Sequence, residues 1–260
     1  MQSPTHQRAK RPIKSSRNRV RKNWALSRGS FFSAIANRRS LNSLRAMDAD
    51  SLRFFNPYAE IAHTENRLPH WQQTGAAYFV TFHLADSVPK TLRDGWEAER
   101  EIWLRLHPEP WTPAVEREYH ERFSGAMERW LDAGHGSCLL RRPDCRAIVT
   151  GALRYFDGER CAHLAWVAMP NHVHALFVLH GEWTLEKLLQ SWKRHSAREI
   201  NKLTGATGES LWQKDYFDRL IRDRKHFENC VRYIRRNPAK ANLRPDEYEL
   251  YESPLAQAVE

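Results

Sequence analysis

The sequence has no apolar run approaching the roughly 18 residues that a membrane span requires, and its N-terminus lacks the apolar core of a secretory signal. Cytoplasmic residence is therefore the expectation. Cysteine is scarce: Cys138, Cys145, Cys161 and Cys230 are the full set, and none forms a C-x-x-C pair. That argues against a zinc ribbon and a disulfide framework, and leaves four reduced thiols, some of them buried. No internal repeat recurs. Acidic residues are missing from residues 1–45, which hold 12 of the 41 Lys and Arg. The remainder is slightly acidic, so the net charge of +10 resides in that segment. An overall-charge argument for nucleic acid applies only there.

What is present suits one folded domain. A chain of 260 residues with 41% hydrophobic side chains can bury one sizeable core. Residues 1–46, rich in Arg, Ser and Asn without apolar periodicity, read as a flexible basic arm. Residues 47–260 read as the domain, and Met47 is a second candidate start. Ala76–Leu84 is β-branched and aromatic and reads as a buried strand. Residues 91–133 suggest two helices, broken near Pro108, Pro110 and Pro113. Asp144–Phe156 reads as a helix capped by Asp144. Cys161–Ala168 and Val173–Leu179 read as antiparallel neighbours joined by Met169-Pro170-Asn171. Thr184 begins a helix of about twenty residues that ends near Gly205. A last helix runs from about Asp223 to Asn237, where Pro238 is expected to stop it. The order β, α, α, β, β, α, α indicates an α+β fold with helices packed on an antiparallel sheet.

Two local features carry chemistry. In Met169-Pro170-Asn171-His172-Val173-His174 the histidines are two apart on a strand, so both imidazoles face one side, roughly 6.5 Å apart. Such a pair can chelate a divalent cation, although the spacing alone fits two surface or satisfied histidines equally. In Tyr233-Ile234-Arg235-Arg236-Asn237-Pro238, Tyr233 and Asn237 share a helix face at i and i+4. That feature alone also fits a half-buried tyrosine on a solvated basic helix. Together they make a site. A phenol ionises near pH 10 and is a poor nucleophile at neutral pH. A cation held by His172, His174 and the Asn237 amide oxygen would polarise a phosphate, with Mg²⁺ or Mn²⁺ suited to such an N/O set. Arg232, Arg235 and Arg236 would offset charge developing during attack by Tyr233.

Residues 191–244 hold 14 cations against six acids. Trp192, Lys193, Arg194, Trp212, Arg219, Arg222, Arg232, Arg235, Arg236 and Lys240 are the candidate DNA contacts, with Tyr216 and Phe217 interleaved. Bases stack on aromatic rings while cations hold the backbone. Each aromatic fits a core position as well.

At this point the sequence resembles the REP-associated tyrosine transposases, a branch of the single-tyrosine HUH transposases. The matching stretches are LPHWQQTGAAYFVTFHLADSVP, LDAGHGSCLL, AWVAMPNHVHALFVL, LLQSWKRHSAREINKLTG, LWQKDYFDRLIRD and YIRRNPAKANL, in the family's order across about residues 67–243. The resemblance implies a ferredoxin-like α+β core with the two histidines on a central strand. It implies His172 and His174 as the metal pair, Asn237 as third ligand and Tyr233 as nucleophile. It also implies a single-stranded, hairpin-forming palindromic substrate, cut to leave a 5′-phosphotyrosine and a free 3′ hydroxyl. Two departures stand out. Asn242 follows Lys240-Ala241 where the family has Gly, a small change because Asn tolerates left-handed backbone. The C-terminal DEYELYESPLAQ replaces a Trp-rich segment. Competing readings are an inactive relative that binds hairpin DNA, and a hydrolase using His-x-His with water, which would need further Asp, Glu or His ligands.

Overall fold

The computed structural model describes residues 52–56, 58–59, 62–65, 69–108 and 111–260. The basic arm expected at 1–46 lies outside these residues. A short hairpin, β1 (Ala62–Glu65) and β2 (Pro69–Gln72), precedes β3 (Ala77–His83). Helices α1 (Lys90–Leu106), α2 (Pro113–Tyr119) and α3 (Gly125–Asp132) follow, with a π-turn over His120–Ser124 joining the last two. Then come α4 (Pro143–Tyr155), β4 (Cys161–Ala168), β5 (His172–Leu179), α5 (Leu185–Thr204) and β6 (Phe217–Leu220). The chain closes with α6 (Arg224–Lys240), β7 (Glu249–Glu252) and α7 (Pro254–Gln257). No described helix is long and apolar enough to cross a membrane.

The main sheet has the order β6-β3-β5-β4-β7, antiparallel throughout. Its β3-α4-β4-β5-α5-β6 portion is the split β-α-β arrangement of ferredoxin-like folds, and β7 adds an edge. This is the expected α+β class. Strand alternation divides the sheet's residues between two cores. Tyr78, Val80, Phe82, Val173, Ala175 and Phe177 pack with Leu153 of α4 and with Leu188 and Trp192 of α5. Ala77, Phe79, Leu176 and Val178 pack with Phe227, Val231 and Ile234 of α6. His172 and His174 continue the row of Leu176 and Val178, so they face α6. Each large apolar side chain buried there contributes about 1.5–3 kcal/mol. A one-residue slip would forfeit that burial and turn the histidines to the other face, which fixes their direction.

Helix ends follow their local chemistry, with two corrections. Thr184 Oγ1 accepts from Lys187 N at 3.3 Å, and Gly205 closes α5 with φ 77°. Asp223 accepts from His226 N at 2.7 Å and caps α6. The first correction is at α4, which begins at Pro143. Asp144 sits inside its first turn, where its carboxylate holds Arg142 and accepts from Cys145 N at 2.8 Å, while Arg142 takes the cap position. The second is that α6 continues through Pro238 to Lys240. Proline removes one i→i−4 hydrogen bond, but the residues after it still close the turn, with Leu243 N donating to Pro238 O at 3.0 Å. Ala241 N donates to Asn237 O at 3.0 Å and completes the turn. Asn242 has φ 52°, the left-handed geometry expected of it. Gly136 has φ +83°, and a Cβ there would fall on the Asp86 carbonyl. That loop leads into α4, so only glycine lets it pass β3 so closely. All four cysteines are buried and free, as expected.

His163 on β4 supplies a pH test of the core. Its Nε2 lies 3.0 Å from Leu153 O, its ring stacks on Trp192 with centroids 5.5 Å apart, and burial holds its pKa below the ordinary 6.5. The folded protein therefore binds fewer protons than the unfolded chain in mild acid. The contribution is full above about 6.5 and is lost as pH falls toward the lower folded value, at up to ~1.4 kcal/mol per pH unit. Urea midpoints measured in chelator should fall between pH 7.5 and 5.5, and less steeply in His163→Phe. Identical slopes in parent and variant would remove His163 as a source of the effect.

Candidate active site and nucleic-acid interface

Strand β5 presents His172 and His174 toward α6, which presents Tyr233 and Asn237 one helical turn apart. The four side chains meet. His172 Nε2 is 3.0 Å from His174 Nε2, and the Tyr233 hydroxyl and the Asn237 Nδ2 each stand 3.4 Å from that same His174 nitrogen. Both histidines and Asn237 are 1% exposed, so the amide and imidazoles have exchanged water for one another.

The surrounding strands and loops orient the rings. Asn171 Nδ2 donates to Leu131 O at 3.0 Å and contacts His135 O at 3.4 Å. Two carbonyls thus fix its amide, and its Oδ1 accepts from His172 Nδ1 at 2.7 Å. The proton is placed on Nδ1, which leaves the His172 Nε2 lone pair pointing inward. His174 Nδ1 pairs with Thr81 Oγ1 of β3 at 2.7 Å. Phe79 lies against the His174 ring, with centroids 5.5 Å apart at 24°, and meets Tyr233 edge-on at 5.8 Å. Phe79 thus packs against the rings of both His174 and Tyr233.

Electrostatics favour a ligand state for the imidazoles and an inert state for the phenol. Burial lowers the His172 pKa well below 6.5 and that of His174 to about 3, with Arg219 and Lys240 adding to the shift at His174. Neutral imidazole is the form that binds a cation. Burial pushes the Tyr233 phenol above its ordinary value, and the carboxylates Glu128 and Asp132 of α3 push the same way. Arg219 and the Asn237 amide partly oppose them. Those two acids also pair with the flanking cations: Lys240 Nζ is 2.7 Å from Asp132, and Arg219 is 3.9 Å from Glu128.

A divalent cation fits this arrangement. Asn237 Oδ1 is buried without a hydrogen-bond partner, which is costly for an amide oxygen unless something else engages it. It belongs to the same side chain that borders two converging Nε2 atoms. His172, His174 and Asn237 make a donor set of two nitrogens and one oxygen. Among the described residues no group of three His, Cys, Asp or Glu is placed to hold a metal ion, here or elsewhere, so the third donor at this site can only be the amide.

The remaining predicted contacts divide. Arg219, Arg222, Arg232, Arg235, Arg236 and Lys240 lie on β6, on α6 or between them, and of these Arg219 and Lys240 act on the His174 imidazole. Lys193 and Arg194 lie on α5, which packs on the opposite face of the sheet. Trp192 is 1% exposed and Trp212 5%, so neither offers a free ring face for base stacking. Trp192 packs in the core against His163 and Phe177, and Trp212 packs on Phe82 with its Nε1 donating to Ser196 at 2.9 Å. Arg235 is committed within the chain, to Glu252 at 2.9 Å, Val259 O at 2.7 Å and Ala256 O at 2.9 Å. Arg232 likewise donates to Glu260 O at 2.6 Å. Both tie the departing C-terminal segment to α6. Lys193 donates to Lys214 O at 2.7 Å, and burial lowers its pKa to about 8. Arg194, Arg222 and Arg236 are exposed. Sequence reasoning missed Thr81, Phe79, Asn171, Glu128 and Asp132 as parts of the site. Strand alternation puts Phe79 and Thr81 on one face, the only local signal that could have found them.

Residues 145–237 match the family described as "Transposase IS200 like". A REP-associated tyrosine transposase of Escherichia coli (strain K12) is 34% identical over 82 residues, 29% of this chain and 43% of that protein. The chain thus spans less than half the length of that relative. A solved structure described as a REP-associated tyrosine transposase bound to a REP hairpin is 17% identical, covering 68% of this chain and 73% of that one, with a TM-score of 0.36.

Proposed function

We propose that this chain, whose residues 145–237 match the IS200-like transposase family, nicks and rejoins single-stranded DNA at hairpin-forming palindromic repeats. The observation that carries the reading is the meeting of Tyr233, His172 and Asn237 at one nitrogen of His174, at 3.0–3.4 Å. The proposed domain runs over residues 47–260, and the basic arm before it adds charge attraction that salt screens.

In the proposed reaction the Tyr233 oxygen attacks a backbone phosphorus. The P–O3′ bond breaks, the leaving oxygen takes up a proton as a free 3′ hydroxyl, and tyrosine has lost one. The product is a 5′-phosphotyrosine that preserves the bond for a later 3′ hydroxyl to attack. His172, His174 and Asn237 would hold Mg²⁺ or Mn²⁺, which supplies Lewis-acid polarisation of the phosphate. Thr81 and Asn171 keep the imidazoles turned inward. Phe79 holds the phenol against them, which limits the geometry from which attack starts. Arg219 and Lys240 would offset charge growing on the phosphate, once their pairings with Glu128 and Asp132 yield. A water-based hydrolase is less well supported, because the third neighbour of the histidine pair is an amide and the fourth a tyrosine.

The test is a hairpin with unpaired flanks incubated with protein and Mn²⁺, followed by analysis of both ends. The reading expects a 3′ hydroxyl on one product and a 5′ end blocked by protein on the other. A free 5′ phosphate appearing at the same rate as cleavage would replace it with hydrolysis.

A further inference from the structure

Two acids beside the site stand apart from the proposed chemistry. Glu128 and Asp132 lie four residues apart on α3, so they share one of its faces. Each meets a cation brought by another element: Glu128 is 3.9 Å from Arg219 of β6, and Asp132 is 2.7 Å from Lys240 at the end of α6. All four charges reach the reacting groups. Beyond burial, Arg219 and Lys240 lower the His174 pKa, and Glu128 and Asp132 raise that of the Tyr233 phenol. Two positive charges suited to a phosphate are thus matched by two negative charges opposed to one. The acids are also held in place. Asn171, which orients His172, donates to Leu131 O at 3.0 Å and so ties the end of α3 to the loop before β5. The carboxylates therefore yield by side-chain rotation, while their helix stays beside the site.

Ion pairs that serve the fold are built differently in this chain. Arg235 meets Glu252 at 2.9 Å and adds the carbonyls of Val259 and Ala256. Arg154 meets Glu249 at 2.6 Å, and Thr150 Oγ1 donates to the same carboxylate at 3.1 Å. By contrast, Glu128 stands beyond hydrogen-bond reach of Arg219. Both carboxylate oxygens of Asp132 are buried without a hydrogen-bond partner among the described residues, so Lys240 holds it by charge rather than by an aligned bond. Burying a carboxylate in that way costs the fold stability. A phosphate, with more acceptor oxygens to offer an arginine and a lysine, is the better partner. Resting on the nicking reading above, we propose that Glu128 and Asp132 are specificity-determining residues, carboxylates that mask Arg219 and Lys240 until a strand anchored through its hairpin displaces them. An opposing group builds specificity as well as a favourable contact does. A loose strand meets the site at its bulk concentration, which the two pairs outcompete. An anchored strand presents its phosphate at a far higher effective concentration.

The test measures binding of an unstructured single strand by the full chain in chelator. Glu128→Gln with Asp132→Asn should bind it roughly fivefold more tightly than the parent, the order of a part-exposed ion pair relieved. Glu101→Gln with Asp246→Asn removes the same charge at exposed positions and should change binding by less than about twofold, because salt screens it. Lys240→Gln should cost little in the parent and roughly fivefold once the acids are gone, since the lysine is masked in one and free in the other. Asp132→Glu keeps the charge and should bind as the parent does, which a purely packing role for Asp132 would not allow. Equal cost of Lys240→Gln in both backgrounds, or equal tightening by the exposed pair of substitutions, overturns the assignment. Covalent adducts are scored separately, with Mn²⁺ and a hairpin carrying unpaired flanks. Adducts from the parent without the Lys240 coupling defeat the mask and leave nicking standing. The coupling without adducts leaves the mask and defeats nicking.

Discussion

Tyr233→Phe should bind hairpin DNA as the parent does and form no covalent adduct, with strand cleavage down by at least about 10³-fold, as expected when a nucleophile is deleted. The change removes one hydroxyl that approaches His174 at 3.4 Å and is met by the Asn237 amide. The ring keeps its edge against Phe79, so the stability cost should stay within about 1 kcal/mol. Gel-resolved adducts and filter binding measure the two effects on one preparation. Parental levels of adduct in the variant would exclude Tyr233. Tyr216 would not be a ready substitute, because it packs in the core on the sheet face opposite the histidines.

Replacing His172 and His174 together with Gln should abolish cleavage and remove the response of the fold to metal. A cation bound only by the folded parent, at about a hundred times its Kd, stabilises by ~2.7 kcal/mol. For a domain of this size that raises Tm by roughly 5–10 °C. The double variant should show no such rise with Mn²⁺, while chelator should bring the parent to its own metal-free Tm and stop cleavage. Gln preserves bulk beside Phe79, which separates lost ligation from a lost fold. A Tm rise of equal size in parent and variant would place the cation elsewhere.

Periodicity made the chemical half of the site legible. A two-residue spacing on a strand and a four-residue spacing on a helix are local facts, and His172, His174, Tyr233 and Asn237 converge as those spacings require. What remained hidden depends on long-range packing. Thr81 reaches His174 only because β3 pairs with β5, a contact 93 residues apart in sequence. Trp192 and Trp212 sit among cations in the sequence, but neighbouring charges do not reveal that the rings point inward. Arg235 looked like a DNA contact because its partners, Glu252, Ala256 and Val259, belong to a segment with weak local signals. That segment forms β7 and α7 at the sheet edge. Helix α6 outlasted Pro238 because the residues beyond it close the last turn, Ala241 N on Asn237 O and Leu243 N on Pro238 O, and those partners are invisible to a rule about proline alone.

The most direct measurement is the identity of the residue joined to DNA. The parent protein, incubated with a hairpin carrying unpaired flanks and Mn²⁺, is denatured, digested with nuclease and protease, and its peptides are weighed. The account predicts one modified peptide, containing Tyr233 and carrying a nucleotide through its 5′ phosphate. Efficient cleavage with an unmodified Tyr233 peptide, or with the nucleotide on another side chain, would contradict it.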